Sequence, residues 1–224
     1  MQKWLVAVQA LLFSATLFAQ GPSQEGPSAL SNTYYQAETY RLTGRAMLAI
    51  EAYEMLLESD EYAEAAHYQL ARLHFEQGSI YPAFQYASNG ADLYPENTWM
   101  LRLKAQCAKQ MGDTKSAGAA FEALAKLQPG QPNYWFDAFG VYLQGNELND
   151  ALRVLDVVAQ EYGNTPELVS DQVSLHLQQN DEKGAEKVLL NTIKADPTVP
   201  EYYGLLSQFY DGNGKGKKAI KLLD

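Results

Sequence analysis

Six alanines recur along the chain at one interval: Ala49, Ala83, Ala117, Ala151, Ala185 and Ala219, each 34 residues after the one before. Four residues beyond each stands Tyr53, Ala87, Phe121, Leu155, Leu189 or Leu223. Five residues before each stands Gly44, Gly78, Gly112, Asn146, Asn180 or Gly214, residue types that tolerate left-handed backbone geometry. A period of this length, kept without insertion, means that one supersecondary unit is repeated. Such a unit cannot bury its apolar face alone, so neighbours must stack.

With the ladder alanine numbered as position 20, units start near Leu30, Glu64, Thr98, Pro132, Pro166 and Pro200. Each holds two apolar-periodic stretches around the Gly/Asn turn. In the second unit, Leu70, Leu73 and His74 share one face at the spacing of an amphipathic helix. Pro82 falls near the start of the second stretch, where a missing amide is tolerated. Pro95, Pro129 and Pro197 close the second, third and fifth units, because a helix does not continue through proline. No stretch sustains period-two alternation, so the chain is expected to be all-α, built of antiparallel helix pairs. Small residues at the crossing let paired backbones approach closely, with larger side chains filling the space around them.

This pattern resembles the tetratricopeptide repeat, a 34-residue helix–turn–helix with small residues at positions 8 and 20, an aromatic near 24 and proline at 32. The third unit carries Ala105, Gly112, Ala117, Phe121 and Pro129 at those places, and the fourth carries Trp135 and Tyr142 in its first helix. The resemblance runs over residues 31–224 and implies a right-handed α-solenoid of six repeats. Position 8 departs to Phe139, Val173 and Ser207 in the later units, where packing must be adjusted. The first unit has Thr33 in place of the Trp and Glu61 in place of the Pro. Asp224 is only position 25 of the sixth unit, so its second helix is expected to continue in a longer protein.

The N-terminus differs in kind. Lys3 precedes a mostly apolar run from Leu5 to Phe18, and a small residue, Ala19, follows. Residues 1–19 therefore read as a secretory signal peptide cleaved before Gln20, with an uncleaved anchor as the alternative, and residues 20–30, rich in Gly, Pro and Ser, as a flexible linker. An exported, periplasmic or envelope-associated location follows, with no stable membrane insertion after cleavage. A formal charge of −10 argues against a nucleic-acid partner, which requires a basic surface.

Nothing points to catalysis. The resemblance implies core-facing positions for His67 and His74 on one helix, and no metal-binding, redox or phosphate-cradling motif is present. No cofactor is implied. Cys107 stands where Thr39, Leu73, Val141, Leu175 and Phe209 stand in the other units, as a small buried residue does.

The resemblance instead implies binding, since stacked pairs present an extended concave surface lined by the first helices. Its lining positions place Tyr34, Arg41, Tyr68, Arg72, Phe75, Trp99, Arg102, Lys109 and Phe136 in the first four units. Aromatic residues mixed with Arg are the composition of interaction hot spots. The expectation is a non-enzymatic envelope scaffold that holds a peptide or helix of another protein, with the cations meeting its acidic groups. Tyr34 and Glu38 stand where the chaperone-tail clamp of the resembled family carries Lys and Asn, which argues against that mode. The alternatives are an accessory repeat module of a larger envelope enzyme and an adaptor for peptidoglycan or another polysaccharide.

Overall fold

The computed structural model describes residues 27–220, and all the regular structure among them is helical. The helices are α1 (Pro27–Leu42), α2 (Ala46–Glu54), α3 (Ala63–Glu76), α4 (Ile80–Leu93), α5 (Thr98–Met111), α6 (Thr114–Leu127), α7 (Asn133–Gln144), α8 (Leu148–Tyr162), α9 (Pro166–Gln178), α10 (Glu182–Ala195), α11 (Pro200–Gly212) and α12 (Gly216–Ile220). They fall in two compact units, Met1–Ala66 and His67–Asp224. The expected signal peptide, and the residues after Ile220 on which the expected truncation rests, lie outside the described residues.

Every turn inside a pair is built the same way. Gly44, Gly78, Gly112, Asn146, Asn180 and Gly214 all have positive φ, between 58° and 74°. Left-handed geometry there reverses the chain and lets the last carbonyls of the first helix be satisfied. The Asp113 and Asp181 amides, for example, donate back to Ala108 and His176 across this turn. Side-chain caps then start the next helices. Asn97 accepts from the Trp99 and Met100 amides, Asp113 from Ser116, Thr165 from Leu168 and Asp181 from Gly184.

In the first unit α1 packs on α2. Helix α1 begins at Pro27, so residues 27–30 of the segment expected as a flexible linker over 20–30 are helical. Helix α2 is short: after Glu54 the amides of Leu56 and Ser59 reach back only three residues, to Tyr53 and Leu56. The turns that follow carry the chain to α3 without the closing proline of the later repeats.

In the second unit each helix from α4 to α12 packs on the next in sequence order, forming an all-α helical-repeat solenoid. Ala83, Ala117, Ala151 and Ala185 are fully buried there, as Ala49 is in the first unit. The adjustment expected at position 8 is real. Ala71 and Ala105 are fully buried, but in the fourth repeat the buried small residue is Ala138, one place earlier. Phe139 is half-buried and packs against the Trp135–Tyr142 cluster. One residue is about 100° of helix rotation, so the crossing point has turned around α7.

Candidate protein-interaction surface

Helix α5 separates two faces cleanly. Met100, Leu101, Leu103, Ala105, Cys107 and Ala108 are buried. Trp99, Arg102, Gln106 and Lys109, spaced three, four and three residues apart, are exposed and form one stripe. Trp99 keeps 63% of its surface in solvent and Phe136, on α7, keeps 47%.

The Arg102 guanidinium lies between two rings, 5.6 Å from the centroid of Trp99 and 5.5 Å from that of Tyr134 on α7. Lys109 Nζ stands 5.9 Å from the Phe121 ring on α6. These cation–π contacts orient both side chains without neutralising them. No ion pair joins either cation to an acid among the described residues.

The other two arginines are engaged. Arg72 lies 6.0 Å from the Tyr68 ring and its Nε is 3.2 Å from Glu76 on the same helix. Arg41, in the first unit, pairs with Glu38 at 2.5 Å, and Glu38 also accepts from the Tyr53 hydroxyl. Four free cations were expected on this face, and intrahelical acids three or four residues away have taken two of them. The aromatic set divides in the same way. Tyr68 and Phe75 are half-buried and pack on Ala71, Ala83, Leu103 and Cys107, while Tyr34 stacks on Tyr62 at 4.9 Å. Trp99 and Phe136 stay open.

Tyr134 is the member of the site that sequence reasoning missed. It sits one residue from the lining position held by Trp99 in its own repeat, and it reaches Arg102 from α7, which packs on α6 as α5 does. The conspicuous aromatic run Tyr134-Trp135-Phe136 was the available signal. Its three rings part company: Trp135 is buried, Tyr134 holds Arg102 and Phe136 faces solvent.

His67 is buried, and burial lowers its pKa. His74 stacks on Tyr86 at 5.5 Å, and His176 Nδ1 is 2.9 Å from Asp181. Cys107 is fully buried, and burial pushes its thiol up to about 11. Among the described residues no cluster of three or more His, Cys, Asp or Glu could hold a metal, and no helix is long and apolar enough to cross a membrane.

No protein-family model matches the chain, and no curated protein matches it. Solved structures do. A chain of the Naa15/Naa10 complex bound to HypK-THB aligns over 87% of this chain and 30% of its own length, with TM-score 0.57 and 13% identity. A tetratricopeptide repeat protein from Parabacteroides merdae ATCC 43184 aligns over 86% of this chain and 77% of its own, with TM-score 0.48 and 15% identity. Pseudomonas aeruginosa PilF aligns over 82% and 83%, with TM-score 0.44 and 21% identity. With helix pairs repeating every 34 residues, a left-handed turn inside each pair and a fully buried alanine at each described crossing, this chain has the tetratricopeptide-repeat fold.

Proposed function

We propose that the protein is a non-enzymatic interaction scaffold that binds a segment of another protein along the first-helix face of the second, third and fourth repeats. The observation that carries this reading is the pairing on α5 of exposed aromatic surface with cations that no acid among the described residues neutralises. In a chain of net charge −10, such a spot attracts an acidic partner locally while the rest of the surface repels it. The Naa15/Naa10 complex with HypK-THB is a use of a similar fold in protein assembly, and the same use is proposed here. An envelope location is part of the proposal and rests on the signal-like residues 1–19 alone.

The test is capture of partners from an envelope extract by the protein and by a variant with Trp99, Arg102 and Lys109 all replaced by Ala. The expected result is one or more proteins held by the wild type and lost from the variant, with unchanged helical content. Equal capture by both would refute the surface assignment.

A further inference from the structure

We infer that the α5 face reads an extended segment carrying two carboxylates three residues apart, with an apolar side chain at the Trp99 end. The inference rests on the partner-binding reading above and sharpens it to a ligand chemistry. Arg102 and Lys109 are seven residues apart on one helix, so their Cα atoms are separated by about 10 Å along its axis. A β-extended chain also advances about 10 Å in three residues but turns side chains at that interval to opposite faces, whereas an extended, polyproline-like one advances about 9 Å and returns the side chain to the same side. Two carboxylates at that interval of a polyproline-like segment meet both cations at once.

Gln106 argues for an extended occupant over a helical one. It lies between the two cations, is exposed, and its amide has no partner among the described residues. A primary amide supplies a donor and an acceptor. A helix has already spent its mid-chain amides and carbonyls on itself, whereas an extended segment presents both, unpaired. Trp99 is about 4.5 Å further along the axis from Arg102, towards the helix N-terminus. A ring or aliphatic group one or two residues before the first acid would therefore lie on Trp99. The Arg102 guanidinium, held between Trp99 and Tyr134, is already oriented for a two-point contact to a carboxylate.

The experiment measures fluorescence anisotropy of labelled peptides with the purified protein. The test peptide is Gly-Phe-Ser-Glu-Ser-Ser-Glu-Gly. It is compared with the same peptide bearing Gln for both Glu, with one bearing adjacent Glu residues, and with a helical peptide bearing Glu seven residues apart. The test peptide is expected to bind about fivefold or more tighter than its Gln counterpart, a difference that shrinks when salt rises from about 0.05 to about 0.5 M. Arg102→Gln and Lys109→Gln should each erase most of that difference while leaving the melting temperature unchanged. Equal binding of Glu and Gln peptides, both lost in Trp99→Ala, would leave the partner-binding face standing and overturn the carboxylate reading. Tighter binding of the helical or adjacent-Glu peptide would overturn the extended spacing. Failure of every peptide to bind, or binding unchanged in Trp99→Ala and Arg102→Gln alike, would remove the partner-binding reading and this inference with it.

Discussion

The Tyr142 hydroxyl donates to Glu122 at 2.7 Å, and so joins the first helix of the fourth repeat to the second helix of the third. Glu122 is buried, at 7% exposure, and Arg153 closes the other side of its carboxylate with two bonds of 2.7 and 2.8 Å. The same device returns two repeats later, where Tyr210 donates to Glu186 at 2.8 Å and Lys218 meets it at 2.9 Å. Tyr142 and Tyr210 hold the same position of their repeats. The stacking that places Tyr134 against Arg102 crosses the junction held by the first of these ties.

Replacing Glu122 by Ala leaves the buried Tyr142 hydroxyl without its acceptor and Arg153 with Asp150 alone. The variant is expected to lose about 1–3 kcal/mol of stability, read as a lower urea midpoint. Burial alone would raise the Glu122 pKa, but the bonds from Arg153 and Tyr142 outweigh it and the net shift is downward. A carboxyl whose folded pKa is depressed stabilises the fold above its unfolded pKa, about 4.3, and loses that contribution as pH falls through the folded value. Wild type should therefore lose more stability than Glu122→Gln as pH drops below about 4. Parallel loss in the two proteins would show that the tie contributes nothing at neutral pH.

Gly118 stands one place after the ladder alanine Ala117, inside α6, where Ile50, Phe84 and Leu152 stand in other repeats. A Cβ there would run into the Tyr142 ring, which its bond to Glu122 holds in place. On an open helix surface Gly→Ala gains about 1 kcal/mol. Here the sign should reverse, with Gly118→Ala destabilising by about 1–3 kcal/mol through overpacking. A higher melting temperature in the variant would show that the ring moves freely.

Asn146 and Asn180 hold their turns at φ 58° with side-chain-bearing residues, whereas the other four turns use glycine. Alanine at either position is expected to cost about 1 kcal/mol and glycine to be neutral or slightly stabilising. Thermal melts of Asn180→Ala and Asn180→Gly beside wild type check the ordering.

The Cys107 thiol is shielded by burial and by its raised pKa. Labelling by a thiol-specific reagent at about pH 8 should follow the rate at which the repeat opens, since thiolate and access are both withheld in the folded state. Immediate labelling of the native protein would contradict the packing of α5.

The sequence by itself determined the repeat, its helix pairs, the turn positions and the buried alanine ladder. These follow from local backbone preference and from the spacing of apolar residues along one helix, both of which are written in consecutive residues. The family resemblance, read in the register that the ladder supplies, pointed to Trp99, Arg102, Lys109 and Phe136 as lining residues, and all four are exposed. Tertiary structure decided which of the lining residues stay available. Arg41 and Arg72 are drawn to Glu38 and Glu76, Tyr68 and Phe75 turn partly into the core, and Tyr134 arrives from the next repeat to hold Arg102. The roles of Gly118, Tyr142 and Glu122 were likewise hidden. Such contacts depend on side-chain rotamers and on how far each helix is rotated against its neighbour, and a shift of one position, as at Ala138, changes the partner without disturbing the period.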